Sequence, residues 1–311
     1  MSNAFNSSRR TFLAGAGAAW LGASLGSSAR AEDKSGFRYC LNTSTISGQK
    51  LTLQEEIEIA AKAGYTALEP WTREIDVVAK AGPTALKDLG KLLADKGLAV
   101  DSVIGFFDYL NDDEAKRTKG LEQAKRDMDN CAQIGAKRIA APPVGVTGVE
   151  MPIDKCTERY KVLCELGEKM GVPAELELWG FSKTLCKLHD AVKVVKDCGH
   201  PQACLLLDVF HLHRGGNNFA DMKSVDASKI TCFHMNDFPA DPPVPAITDA
   251  HRIYPGDGVA PLTQLFKDLR ANGFKGVLSL ELFNRNEWKR DALTVAKIGL
   301  EKMQAAVAKS L

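Results

Sequence analysis

An α/β fold is predicted, a single-domain closed (β/α)₈ barrel. Past residue 36, short apolar β-rich runs alternate with amphipathic helical stretches, eight of each. They occupy ~270 residues, the size at which eight parallel strand–helix units close into a ring. The main rival, a doubly wound sheet, calls for a glycine-rich phosphate turn after an early strand, and none is present. The candidate strands are 37–42, 66–69, 99–104, 138–141, 174–178, 204–208, 231–236 and 277–282. Helical periodicity falls at 52–63, 83–96, 113–134, 154–170, 184–198, 219–228, 261–272 and 288–308, and Gly64, Gly97, Gly135, Gly171, Gly199 and Gly273 stand as stops. No repeat, low-complexity tract or internal linker divides the chain. Residues 238–255 carry five prolines without periodicity, long for a connection inside a compact domain. On a barrel, loops that follow strands border the catalytic face, so this segment is a candidate lid or substrate wall.

The first thirty or so residues read as a targeting segment. Arg9-Arg10 sits in a twin-arginine signature, a weakly apolar Gly/Ala stretch runs to about Gly26, and Ala29-Arg30-Ala31 offers cleavage before Glu32. The expected division is a signal peptide over 1–31 and the barrel over 32–311. The run is too short and glycine-rich to span a bilayer, so no stable membrane anchor is expected. The expected partner is the twin-arginine export machinery and the expected location the periplasm. Removing the segment takes away three arginines and no acids, moving the net charge from +1 to −2. With 40 Lys and Arg against 39 Asp and Glu, no global field attracts a polyanion, which counts against a nucleic-acid binder. The eight cysteines lie in apolar patterns with no C-x-x-C pair, and mostly free thiols are expected.

Four late candidate strands each end near a hard-metal ligand. Glu177 closes Ala174-Glu-Leu-Glu, Asp208 breaks the apolar run from Leu205, His234 sits in Cys232-Phe-His-Met, and Glu281 alternates against Leu280 and Leu282. Alternation along strands points such residues to the barrel mouth. Singly, a strand-end acid is more often a cap and a strand histidine more often a satisfied core residue. Together, four ionisable groups in apolar parallel strands are costly to bury unless something compensates. One divalent cation does so for three carboxylates and a neutral imidazole. The donor set suits Mn²⁺ first, with Mg²⁺, Co²⁺ and Zn²⁺ as alternatives, and lacks the thiolates of a structural zinc site. Trp71, Phe107, Trp179 and Phe283 lie near strand ends and are candidate apolar walls of the pocket, Trp179 foremost. Glu69 and Glu175 are the nearest wrong answers for ligands; Glu175, deeper on the strand face of Glu177, is expected to pair with a buried cation or basic group.

The chain resembles the xylose-isomerase-like TIM barrels, which include ketose 3-epimerases, hydroxypyruvate and inosose-type isomerases or dehydratases, and endonuclease IV. Asp208-Val-Phe-His211 resembles the family's strand-six signature, which implies Asp208 on the metal and His211 on the substrate. Arg252-Ile-Tyr-Pro-Gly-Asp-Gly258 resembles its Arg-x-x-Pro-Gly-x-Gly segment, implying a substrate-binding Arg252. The epimerase likeness implies that Glu177 and Glu281 are metal ligands and also the acid/base pair. Such chemistry needs a base, an acid on the opposite face and a cation to stabilise an enediolate. The expected activity is therefore a metal-dependent sugar isomerase or epimerase on a small sugar or sugar derivative. A lyase, dehydratase or hydrolase would use the same residues. A non-catalytic sugar-binding protein is disfavoured by the intact glutamates. Endonuclease IV is disfavoured because strands one to four hold no histidine. Lys183 stands where some epimerases have an acid, which puts the substrate end of the pocket in question. A homo-oligomer is compatible with this reading.

Overall fold

A computed structural model of the chain describes residues 36–311; the twin-arginine motif and its cleavage site lie outside the described residues. Seven parallel strands form one sheet: β1 Arg38–Asn42, β2 Ala67–Glu69, β3 Ile139–Ala141, β4 Ala174–Glu177, β5 Cys204–Asp208, β6 Ile230–Met235 and β7 Val277–Leu280, in the order β2-β1-β7-β6-β5-β4-β3. The expected third strand, 99–104, is not a regular strand. It nevertheless fills the gap between β2 and β3. On one side Leu68 N–H donates to Ala99 O (2.9 Å) and Ile104 N–H to Pro70 O (2.9 Å); on the other Lys137 N–H donates to Val100 O (2.9 Å) and Ala140 N–H to Val103 O (2.8 Å). The ring thus has eight staves, one of them irregular. The polar pair in its middle accounts for the break in pattern. Asp101 turns out to Arg38 (2.8 Å) and Lys137 (2.7 Å), while the Ser102 hydroxyl donates to Glu175 (2.8 Å).

The helices are α1 Leu53–Ala63, α2 Thr72–Ala79, α3 Ala85–Asp95, α4 Glu114–Gln133, α5 Ile153–Met170, α6 Leu188–Asp197, α7 Val209–Arg214, α8 Leu262–Ala271 and α9 Ala292–Ala308. A capping box of Thr52 and Glu55 starts α1, and Gly64 in the left-handed region (φ 105°) stops it. Two differences from the sequence expectation affect the site. The helix expected at 219–228 is a pair of 3₁₀ turns, and the short α7 comes directly off β5 because the Asp208 carboxylate caps it, accepting from Phe210 N–H (2.6 Å) and His211 N–H (3.1 Å).

Alternation sorts the strand residues into two environments. Leu41, Leu68, Leu176, Leu205, Leu207, Phe233, Leu278 and Leu280 face outward into the large cluster under the helices. Cys40, Ala67, Ala140, Leu206, Cys232 and Val277 form a separate, smaller cluster inside the ring. One step of two further along the strands come Asn42, Glu69, Glu177, Asp208, His234 and Ser279, all buried, so the apolar inner layer gives way to a polar one at the strands' C-terminal ends. All eight cysteines are free thiols, seven of them buried. Among the described residues no helix is long and apolar enough to cross a membrane.

Candidate active site

Glu177 and Asp208 end β4 and β5, His234 lies in β6 level with Asp208, and Glu281 follows the last residue of β7. His234, fully buried, organises them. Its Nε2 faces the Glu69 carboxylate at 3.1–3.2 Å. Its Nδ1 has no hydrogen-bond partner and looks at Glu281 Oε2 (3.1 Å) and Asp208 Oδ2 (3.5 Å). Ligand atoms of Asp208, His234 and Glu281 all lie within 4.8 Å of one another. Burial would lower the imidazole's proton affinity, but the charges of Glu281 and Glu69 raise it well above its usual value. A nitrogen so placed calls for positive charge, carried by a proton or by a cation. Two carboxylates and an orphaned imidazole nitrogen on Glu69's far side fit a divalent metal, with Glu69 orienting the histidine from behind.

Glu177 opens onto the same cavity from the wall, outside that close triad. Burial, reinforced by Glu281 and Asp208 and partly offset by His234 and the Trp179 side chain, pushes its carboxyl up to about 8. Burial likewise raises Glu281. For Asp208 burial is outweighed by Arg252, His211 and His234, which hold it well below the usual carboxylate range. One carboxyl, Glu177, is therefore raised far enough to hold a proton near neutrality while Asp208 resists one, the division of labour that acid/base chemistry uses.

Arg252 is 1% exposed. Its Nη1 donates to Asp208 Oδ2 and to Glu281 Oε2 (2.9 Å), the same two oxygens that His234 Nδ1 faces. Asp249 holds its other edge, accepting from Nη2 (2.9 Å) and Nε (3.1 Å). His211 stands beside it, Nε2 3.4 Å from Arg252 Nη2; burial pushes this imidazole down to about 4, so it is neutral at neutral pH.

Glu177, Glu281, Arg252, Asp249 and His211 line a cavity of about 200 Å³. Its walls are aromatic: Trp71 stacks on Phe106 (centroids 5.2 Å, 21°), Phe106 tilts against Trp179 (5.7 Å), and Phe283 meets Trp71 edge-on (6.1 Å). A small apolar-walled chamber with polar groups converging at its floor suits a monosaccharide-sized molecule, below the ~300 Å³ of typical drug-sized sites. Larger grooves beside α6 are lined by lysines and aliphatic residues and bring together none of the candidate ligands.

Of the residues singled out in the sequence, Glu177, Glu281, His211, Arg252 and Trp179 line this cavity, while Asp208 and His234 are fully buried beside it, against Arg252 and Glu281. Three expectations need correction. Phe107 is not a wall: it is buried against Tyr109, and Phe106 lines the cavity instead. Both phenylalanines follow the irregular stave 99–104, and proximity to its end does not distinguish which of them turns into the ring. Glu175 has no basic partner at hydrogen-bond distance; it accepts from the hydroxyls of Ser102 (2.8 Å) and Thr231 (2.6 Å), and burial pushes it up to about 7. Lys183 is exposed and takes no part in the cavity lining, so it leaves the substrate end untouched.

Sequence reasoning missed the supporting layer. Glu69, discounted as a ligand, accepts from Asn42 Nδ2 (2.8 Å) and Ser279 Oγ (2.6 Å) as well as facing His234. It ends a candidate strand just as Glu177 and Asp208 do, which was the available signal. Glu69, Cys232 and His234 also lie close enough to be weighed as ligands. Burial raises the Cys232 thiol far above its usual range, so it stays protonated, and the cavity does not reach that side of the imidazole.

Residues 57–305 match the family model described as xylose isomerase-like TIM barrel. The inosose isomerase of Bacillus velezensis is 29% identical over 279 residues, covering 88% of this chain and 98% of that protein. Fructoselysine 3-epimerase of Escherichia coli O157:H7 is 23% identical over 275 residues, covering 84% and 96%. Among solved structures, IOLI protein with a binding zinc atom superposes with a TM-score of 0.81 at 25% identity, over 88% of this chain and 99% of that one. With the matched residues spanning most of the chain and its barrel, the chain belongs to the xylose isomerase-like TIM barrel family.

Proposed function

We propose that this protein is a divalent-metal-dependent isomerase or epimerase of a sugar-like polyhydroxy ketone. The observation that carries the reading is the buried His234 Nδ1, without a hydrogen-bond partner and aimed between the carboxylates of Asp208 and Glu281, of which Glu281 lines an aromatic-walled cavity. Asp208, His234 and Glu281 would hold the cation, with Glu177 completing the set from the wall. Mn²⁺ is the first choice for these donors, and the zinc named for the related solved structure keeps Zn²⁺ beside it. Bound there, the cation supplies the positive charge that makes a carbon beside a carbonyl acidic.

The chain's own residues divide the rest. Glu177 and Glu281 exchange a proton with that carbon: burial raises both carboxyls, Glu177 to about 8, which favours giving a proton as well as taking one. Neutral His211 and the cationic Arg252 hold substrate oxygens by hydrogen bonds. Trp71, Phe106, Trp179 and Phe283 exclude water and pack the apolar face of a ring. The names of the relatives point to cyclic ketones and 3-keto or ketose sugars as first substrates to try. The arginine pair near the N-terminus supports export by the twin-arginine route to the periplasm, where free sugars and oxidised glycosides are the accessible members of that class.

The test is to incubate Mn²⁺-loaded protein with a panel of inososes, ketoses and 3-oxidised glycosides in D₂O. Deuterium wash-in without loss of mass is the expected result. Loss of water or aglycone would replace the isomerase by a lyase on the same residues, and no exchange with any member would remove the catalytic claim.

A further inference from the structure

Asp237 follows the His234-Met235-Asn236 run at the end of β6, and both its backbone and its side chain serve the segment that carries Arg252. Its N–H donates to Ile253 O (2.9 Å) and Ile253 N–H donates back to Asp237 O (3.0 Å), an antiparallel bridge at the residue next to Arg252. The carboxylate, fully buried, accepts four backbone N–H groups: Phe238 (2.8 Å) and Ala260 (2.9 Å) on Oδ1, Gly256 (2.9 Å) and Gly258 (3.0 Å) on Oδ2. This gives the glycines of Pro255-Gly-Asp-Gly258 a physical reason. A Cβ on Gly258 would stand 2.3 Å from Asp237 Oδ1 and from Phe238 O, and Gly256 takes φ 89°. The loop is a nest of amides wrapped around one buried anion.

We propose that Asp237 is a positioning residue for Arg252: by closing the base of the 238–260 loop it fixes the guanidinium against Asp208 Oδ2 and Glu281 Oε2, where it opposes a cation that needs those same oxygens. The inference rests on the metal-dependent reading above. A guanidinium held there is either displaced by the dication or remains beside it as a like charge, and both cost metal affinity. Loosening the arginine therefore tightens metal binding, the opposite of what damage to the site would do.

The experiment is a double-mutant cycle read by Mn²⁺ titration calorimetry on the metal-stripped full-length chain: wild type, Asp237→Asn, Arg252→Gln and the double variant. Asparagine turns an N–H donor toward two of the four loop amides. The expected result is one Mn²⁺ per wild-type chain, Kd lowered on the order of tenfold (about 1.4 kcal/mol) by Arg252→Gln. Asp237→Asn lowers Kd in the same direction by a smaller factor and has no further effect in the Arg252→Gln background. Weaker binding by an equal factor in both backgrounds would mean a merely structural Asp237 and overturns the proposal, as does an Arg252→Gln variant whose Kd is unchanged or raised. Failure of the wild type to take up Mn²⁺ removes the metal reading itself. If Asp237→Asn does not fold, Gly256→Ala enters the same cycle. Its Cβ has room but its backbone is strained at one of the four bonds, and the same tightening, smaller, is expected; no change in either background overturns the proposal.

Discussion

Replacing Glu69 by glutamine tests whether the histidine that organises the site is held in the right tautomer. The two side chains have the same shape, so the change is confined to one charge and the direction of one pair of hydrogen bonds. Glu69 Oε2 accepts from Asn42 Nδ2 and Ser279 Oγ, and His234 Nε2 is hydrogen-bonded to Oε1 (3.2 Å) with Oε2 also 3.1 Å away. Asn42 cannot turn over to suit a new donor, because its Oδ1 already accepts from Trp71 Nε1 (3.0 Å) and Ser44 N–H (2.9 Å). The glutamine oxygen must therefore take the Asn42 side, which points its NH₂ at His234 Nε2. That nitrogen then has to accept, and the proton moves to Nδ1, the nitrogen that would bind the cation. Loss of a carboxylate behind a ligating histidine typically costs 10–100-fold in metal affinity, about 1.4–2.7 kcal/mol. Calorimetric titration of Mn²⁺ or Zn²⁺ into metal-stripped Glu69→Gln at neutral pH measures it directly, with circular dichroism to verify the fold. A folded variant whose Kd stays within twofold of wild type would refute the assignment of Nδ1 as the metal-facing atom.

Three further outcomes follow from the same geometry. Glu177→Gln keeps a carbonyl oxygen in the cavity wall but no exchangeable proton, so deuterium wash-in should fall by ~10²–10⁴ while the variant still takes up one metal ion; exchange at the wild-type rate would remove Glu177 from proton transfer. Mn²⁺ at a hundred times its Kd should stabilise the protein by about 2.7 kcal/mol, reversed by a chelator, and a denaturation midpoint indifferent to metal would contradict a site formed by folding. Glu175 offers a pH test away from the ligands. Its folded-state carboxyl is raised to about 7 by burial, so its contribution is fully present below ~4.5 and is lost as pH rises through 7; that span is worth roughly 3 kcal/mol. Urea denaturation from pH 5 to 8 should show Glu175→Gln gaining on wild type as pH rises, and parallel curves would mean that the carboxyl is not held protonated by its burial.

The reach of the sequence ended where its periodicity did. Strand 204–208 is a continuous apolar run ended by Asp208, and 277–280 continues into Glu281, so a charged group at the end of an apolar strand marked both positions, and both side chains lie against His234. The stave at 99–104 carries Asp101 and Ser102, whose partners lie on other staves; its local residues say nothing of them, nor of which of Phe106 and Phe107 faces the cavity. The helix at 219–228 had helical spacing but no apolar stripe deep enough to hold it: Met222, Val225 and Ala227 are its buried apolar residues, and two 3₁₀ turns suffice to bury them.

The supporting residues were hidden for a related reason. A ligand is recognisable in sequence because a charged group in an apolar strand has no local explanation, and Glu69 carried that mark as plainly as Glu177. What separates them is which side of His234 each one faces, a fact set by the ring's closure, since β2 and β6 are not neighbours in the sheet. The imidazole stands between a carboxylate that fixes its proton and two carboxylates that await a cation, so the same residue type serves two purposes within 3–4 Å of one ring. Arg252 completes the balance from a loop, on an address defined by Asp237 and the amides wrapped around it. The charge arithmetic of the site is thus distributed over five strands and a loop. The two tests that resolve it, a glutamine behind the histidine and a loosened arginine in front, move metal affinity in opposite directions.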